Sequence, residues 1–463
     1  MQLLNIVGTI ILSRLLPPED FGALIMLTLV SSYAGLVMNN VVSNAVTQSQ
    51  VLNKLDYSSI FWTSIIVGTV FSVLLILFRH SLTGFYNQPM LLGYIKFFSL
   101  IFIFYALGSV SQALLIKQHN FKQIVIGNLI AIVISYVVAI IMVKMHYRVF
   151  SLVMQIQLNV VISSLYYFWA ARWKPFFALK LNSLKKVKHF SIHLFLNTTL
   201  EYFAFNLDSF LVGRSFGRKD LGLYGRSKQL VFLPVQNVAF AISRSFYPAF
   251  AQMQGHKDEL RSLYLSAIRV TFYITATIIT YMVVVAPDLI EILMGPQWIG
   301  MVVMFQLFSI TGILGILNGF NDSFISSQGR TDLLFKVGLF EKSFSLVATI
   351  IGLQYGITGV IYARLIAAFV ILIPKVYLLL FVVKLDLKTF AGNIIKIILI
   401  NVILLATCWF FMTQLKTLNM YYRFTIVSVT FAGTALALSV LFKEKGYYAL
   451  LNLVKKTIGK TND

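Results

Sequence analysis

Ionisable side chains within long apolar runs offer the most chemistry in this sequence. Five cations stand inside such runs or at their ends: Arg14, Lys96, Arg214, Arg244 and Arg364. A guanidinium presents a fork of donors that fits the oxygens of an anionic group. A charge in hydrocarbon is costly, so each cation either faces a polar cavity, pairs with a carboxylate, or reaches out to the lipid headgroups. Arg244 is the least suited to reaching out, because the residues on both sides of it are weakly polar or apolar. Four carboxyls share the same setting: Glu201, Asp208, Asp322 and Glu341. They can bind Na⁺ or a proton and couple a gradient to motion, or pair with Arg214, Arg244, Arg364 or Lys342. Glu201 and Asp208 are seven residues apart and share a helical face. The amides of Asn40, Asn44, Gln48, Gln112, Asn237 and Asn318 each bring donors and an acceptor to a polar ligand. The six histidines are scattered and Cys408 is alone, so neither a zinc site nor an internal disulfide is spelled out. No nucleotide-binding glycine loop or nucleophile elbow is visible, and no cofactor is implied.

These groups need a scaffold, and the composition says which kind. Of 463 residues, 58% are hydrophobic and 12% charged, against about a quarter charged in soluble domains. The chain reads as an all-α polytopic membrane protein with about fourteen transmembrane helices, since a span takes about 20 apolar residues. The segments are 3–16, 21–46, 59–78, 91–116, 124–143, 149–171, 190–216, 221–253, 263–285, 298–327, 333–353, 360–383, 394–412 and 421–442. The first is short for a span and is expected either to be a short helix or to be preceded by further chain. Gly315 and Gly319 in the tenth segment have the spacing that permits close helix approach. Pro234 and Pro248 in the eighth and Pro374 in the twelfth are kink positions.

The net charge of +22 has to be read by position. Even-numbered gaps with the segment ends that flank them, together with the tail, carry 21 of the 38 Lys and Arg, odd gaps with theirs 11. The positive-inside bias therefore places even gaps, both termini and the Lys-rich tail in the cytoplasm. The longest basic gap, 172–189, lies midway and is expected to sit against the anionic leaflet. Nucleic-acid binding is not expected of positive charge distributed in this way.

Compared with itself, the chain repeats. Residues 11–24 lie over 211–224, matching Arg14 with Arg214, Asp20 with Asp220 and Gly22 with Gly222. Residues 97–123 lie over 307–333, matching Phe98 with Phe308, Ser99 with Ser309 and Gln118 with Gln328. The repeat advances six helices, an even number, so the two copies are parallel and related by an axis along the membrane normal. The expected organisation is a six-helix lobe over 1–171, a basic cytoplasmic linker over 172–189, a second lobe over 190–383, two further helices over 384–442 and a basic tail over 443–463. A central cavity between the lobes follows from this plan. With two lobes in one chain, a monomer suffices.

Several stretches then resemble a known family. Arg14-Leu-Leu-Pro-Pro-Glu-Asp-Phe-Gly22 is similar to a pattern of Wzx-type polysaccharide flippases, in the multidrug/oligosaccharidyl-lipid/polysaccharide exporter superfamily, and the chain most resembles the branch containing the colanic acid exporter. Phe85-Tyr-Asn-Gln-Pro89, Leu207-Asp208-Ser-Phe-Leu-Val-Gly213, Asp220-Leu-Gly-Leu-Tyr224, Ser243-Arg244-Ser-Phe-Tyr-Pro248-Ala-Phe250 and Gly329-Arg330-Thr-Asp332 extend the likeness over nearly the whole chain. The resemblance implies an inner-membrane protein, not an enzyme, that moves undecaprenyl-diphosphate-linked oligosaccharide repeat units by alternating access. The five cations above would then serve the diphosphate, the amides the sugars and the carboxyls an optional Na⁺ or proton. Membrane lipids and the polysaccharide polymerase are the expected partners. A cation-coupled exporter of small molecules shares the two-lobe plan. A membrane enzyme of polysaccharide assembly is the third reading, weakened because no odd gap offers the large extracytoplasmic loop such polymerases and ligases usually carry.

Overall fold

The computed structural model describes residues 1–49, 52–177, 179–383, 385–448 and 451; the side chains at 34, 39–41, 45, 181–191, 193, 197, 233–241 and 257 are also outside the description. Two compact units result, Met1–Gly222 and Leu223–Asp463. The first contains α1 (Gln2–Leu15), α2 (Pro18–Leu36), a π-helical turn at Val37–Val42, α3 (Ser43–Gln48), α4 (Lys54–Leu77), α5 (Arg79–Tyr86), α6 (Leu91–Phe98), α7 (Ile101–Lys117), α8 (Phe121–Lys144) and α9 (Arg148–Ala170). It ends in the first part of α10 (Leu181–Gln252), whose helical course is interrupted at Gly217 with φ 81° and ψ −171°. That backbone is open to glycine and strained for other residues. The second unit continues α10 and adds α11 (Lys257–Val284), α12 (Ala286–Met294), a 3₁₀ turn at Pro296–Met301, α13 (Val302–Ser327), α14 (Thr331–Leu353), α15 (Gly356–Val383), α16 (Leu387–Gln414) and α17 (Met420–Leu441).

Among the described residues the fold is helical without strands, and nine helices are long and apolar enough to cross a membrane. The other five apolar segments are helical too, in α1, α2, the two parts of α10, and α14. α1 has only 14 residues, and α14 carries Lys336, Glu341 and Lys342 along its length. Large apolar side chains such as Leu77, Trp169, Ile373, Tyr377 and Leu441 are mostly exposed, an outer surface suited to lipid rather than water.

Local chemistry sets the helix ends. Asn53 accepts from the Asp56 backbone N–H and donates its own N–H to the Asp56 carboxylate, each at 3.0 Å, which closes a capping box at the start of α4. Asp386 caps α16 by accepting from the Thr389 N–H at 2.9 Å. Two helices went unread in the sequence. α5 follows the third apolar segment and α12 the ninth, so they occupy equivalent places in the repeat. Each is only 8 or 9 residues with one buried face, too short to register where run length is the main signal.

Among the described residues the close approach expected at Gly315 and Gly319 does not occur: a Cβ on either would meet no atom within 4 Å. Tight packing falls instead at the α14–α15 turn, where a Cβ on Gly352 would come within 2.8 Å of the Gly359 carbonyl. A short connection forces two backbones together there, whereas α13 is spaced from its neighbours by large side chains such as Phe320 and Phe324, which pack on Tyr264.

Candidate functional site

In the first unit, stretches far apart in sequence gather at one end of the bundle. Pro18 begins α2, and two residues on, Asp20 is almost fully buried. Arg148, at the start of α9, donates to both of its oxygens at 3.0 Å. Two residues further, Gly22 lies so close to the chain after the Gly217 break that a Cβ would sit 1.6 Å from the Arg218 carbonyl oxygen. Gly222 reciprocates, with a Cβ 2.0 Å from the Pro18 carbonyl. The offset of 200 that relates the repeats thus also relates the two halves of this contact. Phe85 and Tyr86 close α5 beside it: Arg214 donates to the Phe85 carbonyl at 3.2 Å and stands over its ring at 4.7 Å, and Tyr86 is buried against Gly213.

In the second unit two other motif stretches meet. The Gln328 amide donates to the Phe250 carbonyl at 2.9 Å, and Phe250 meets Phe324 edge to face at 5.0 Å. Above that lies the principal polar cluster within the unit. The Lys375 ammonium of α15, nearly buried, stands 2.8 Å from both Asp322 of α13 and Glu341 of α14. Each carboxylate is more than a third exposed. On the same α13 face, Asn321 is fully buried, and its carbonyl oxygen accepts from the Tyr264 hydroxyl at 2.6 Å. The Asn318 carbonyl oxygen, the Asn321 amide nitrogen and the second Asp322 oxygen are buried without a hydrogen-bond partner among the described residues.

The pairing expected for Asp322 and Glu341 is corrected in one respect. Their counter-ion is Lys375, not the adjacent Lys342, whose side chain is exposed. Lys375 lies inside the apolar run of α15 directly after Pro374, and a lone lysine in such a run was the available signal. Ion pairs Asp20–Arg148 and Asp288–Arg423 were also missed, because each joins a helix start to a distant helix start. Among the expected anion-binding residues, Arg14, Lys96, Arg214 and Arg244 are exposed and Arg364 is half-buried. Glu201 is exposed and Asp208 buried, so the two do not share surroundings. Asp208 accepts from the Ser209 N–H at 2.8 Å. Asn44 and Gln48 are exposed on α3, Gln112 is half-buried on α7, and Asn318 is buried on α13. The side chains of Asn40 and Asn237, and most of the tail after 448, lie outside the described residues.

A cavity of 790 Å³ opens among α11, α12, α13, α16 and α17. Phe272, Ile310, Ile398, Leu405 and Trp409 form much of its wall, and Lys416 and Arg423 stand at one part of it. Arg423 is held against Asp288, which is almost fully buried. Among the described residues no group of three or more His, Cys, Asp or Glu could hold a metal ion.

Residues 11–303 match the family described as polysaccharide biosynthesis protein. The chain belongs to that family. The polysaccharide biosynthesis relatives include the teichuronic acid biosynthesis protein TuaB of Bacillus subtilis, 25% identical over 80% of this chain and 77% of that protein. The lipopolysaccharide biosynthesis protein WzxC of Escherichia coli is 22% identical over 76% of this chain and 72% of its own. The architecture is similar to that of a lipid II flippase, MurJ, in an inward closed conformation, with a TM-score of 0.74 over 97% of both chains at 15% identity. A MATE multidrug resistance transporter in an inward-facing conformation gives 0.62 over 82% of this chain and 95% of its own, also at 15% identity. This polysaccharide biosynthesis protein is therefore a multi-pass membrane protein whose helical fold is shared with the MurJ and MATE chains.

Proposed function

We propose that this protein moves undecaprenyl-diphosphate-linked oligosaccharide repeat units across the inner membrane, from the cytoplasmic to the outer face, by alternating access. The observation that carries the reading is the family match over 11–303 on a chain with at least nine apolar helices. Polysaccharide assembly needs its lipid-linked intermediates carried over a hydrocarbon barrier. A polytopic chain is suited to that step. The cavity of 790 Å³ supports the reading, because its mostly aliphatic and aromatic wall suits isoprenoid carbons. The diphosphate falls to Arg244, with Arg14, Arg214, Lys96 and Arg364 as further cations. Asn44, Gln48, Gln112 and Asn318 serve the sugars, and the Asp322–Glu341–Lys375 cluster is where a proton or Na⁺ would couple. Both termini are cytoplasmic in this reading, and the protein works as a monomer alongside the polymerase.

Reconstituted liposomes carrying undecaprenyl-diphosphate oligosaccharide test the proposal. Translocation is expected with wild-type protein and should fall selectively in folded Arg244→Ala. Absence of translocation by folded wild type under both proton and Na⁺ gradients, with efflux of a small cationic dye in a parallel assay, would move the protein to the MATE-like reading.

A further inference from the structure

We infer that the described residues between 172 and 180 (172–177, 179 and 180) form an anionic-phospholipid-binding strap fastened to the start of α4. The segment follows α9 without regular structure, so its backbone groups must find partners elsewhere. They find them on one face of α4. The Trp62 indole donates to the Phe176 carbonyl at 3.1 Å. The Phe176 and Lys180 N–H groups donate to the hydroxyls of Ser58 and Ser59 at 3.4 and 3.2 Å. Trp173 turns inward, edge to face with Phe61 at 5.8 Å.

With its backbone bound inward, the strap presents an outer row of two kinds. Phe177 is 82% exposed, and Phe176 and Leu179 are exposed beside it. Arg172, Lys174 and Lys180 are exposed between and around them. Phe177 is also held against Trp62, ring centroids 5.3 Å apart, so the apolar tip is oriented rather than loose. Rings to enter the acyl boundary, alternating with cations for phosphate, form a match for a negatively charged bilayer surface.

The rest of this end of the first unit agrees. α4 and α8 begin here and α7 and α9 end here, bringing exposed Lys54 and Lys122 to the same level. The acid nearby, Asp56, is buried in its capping box. Lys117 is turned inward, donating to the Ser49 carbonyl at 2.6 Å and the Tyr57 hydroxyl at 3.0 Å. Free cations thus face outward with no exposed carboxylate among the described residues of this end to neutralise them. The ligand is the headgroup of an anionic phospholipid such as phosphatidylglycerol. Because Ser58, Ser59 and Trp62 hold the strap, lipid bound there sets the position of the start of α4.

The test uses the full chain in mixed micelles, with bound lipid counted by native mass spectrometry as phosphatidylglycerol or phosphatidylcholine is titrated. A Lys or Arg at an anionic surface is worth about 1 kcal/mol, roughly fivefold in affinity. The variant Arg172→Ala/Lys174→Ala/Lys180→Ala should then bind phosphatidylglycerol on the order of 100-fold more weakly. Lys144→Ala, at the opposite end of α8, should leave binding unchanged, and Phe177→Ser should weaken both lipids by a few-fold. Exposed positions were chosen so that folding, checked by the unfolding temperature, is retained. Equal phosphatidylglycerol binding by wild type and the triple variant overturns the inference. So does displacement of the lipid by inorganic diphosphate at micromolar concentration, which would mark a phosphate pocket rather than a bilayer-facing strap.

Discussion

Replacing Lys375 with methionine should unsettle the second unit in a way that replacing its neighbours can repair. The ammonium lies 2.8 Å from an oxygen of Asp322 and 2.8 Å from one of Glu341, so those two oxygens are at most about 5.6 Å apart. Without the lysine, two carboxylates face each other across that gap. At an effective dielectric of about 20 their repulsion is about 3 kcal/mol. Truncating one partner of a fully buried pair costs about 3–5 kcal/mol, and the lower end applies because both carboxylates are partly open. For a unit of this size, about 3 kcal/mol corresponds to a fall of roughly 6–12 °C in apparent unfolding temperature. Intrinsic tryptophan fluorescence on heating in detergent reads it directly. Asp322→Asn/Glu341→Gln/Lys375→Met, which removes all three charges while keeping shape, should recover most of the loss. A Lys375→Met protein melting within about 2 °C of wild type, or a triple variant no better than the single, would refute the argument that the cluster is held by charge.

Three further outcomes follow from the geometry. Arg148→Ala strands the buried Asp20 carboxylate and should lower the unfolding temperature by several degrees, with Asp20→Asn in the same chain restoring much of it; a double-mutant cycle measures the coupling. Gly22→Val or Gly222→Val puts a side chain into a backbone carbonyl and should reduce the folded yield from membranes severely, while Gly93→Ala, where nothing lies within 4 Å, should purify like wild type by size-exclusion chromatography. Asp386, outside the membrane segments, is held below the usual carboxylate range by the Thr389 hydroxyl and N–H and by Arg261. A depressed carboxyl stabilises above its unfolded pKa and loses that contribution as pH falls through the folded value. Hydrogen exchange at the Thr389 amide should therefore quicken relative to neighbouring helical amides below the ordinary carboxylate range, and Asp386→Asn should remove that pH dependence while keeping the cap.

The helical scaffold was legible because hydrocarbon permits few alternatives: an apolar run of about 20 residues satisfies its backbone only by closing its own hydrogen bonds. The match of Gly22 with Gly222 was legible in the sequence, and the structure brings those two strips together. What stayed hidden depended on tertiary neighbours. α5 and α12 are only 8 and 9 residues long, so run length does not mark them. Lys375 stood out as a charge in an apolar run, but its two partners lie on other helices, and sequence adjacency pointed to Lys342 instead. Gly315 and Gly319 had the spacing for close packing without the neighbour to pack against. Spacing describes one helix, whereas approach is a property of two.

The contact between Gly22 and the Arg218 carbonyl, with its mirror at Gly222 and Pro18, contains no side chain. Most packed surfaces must freeze rotamers each time they meet, and long side chains lose about 1–2 kcal/mol apiece when fixed. Bare backbone loses none of that, since its atoms are already set by the helices that carry them. A seam of this kind can part and close again without repacking, and its fit is all or nothing: one methyl on either strip removes it, while no choice of neighbouring residue can tune it. The two strips carry glycine at positions 200 apart, so the seam depends on both in the same way.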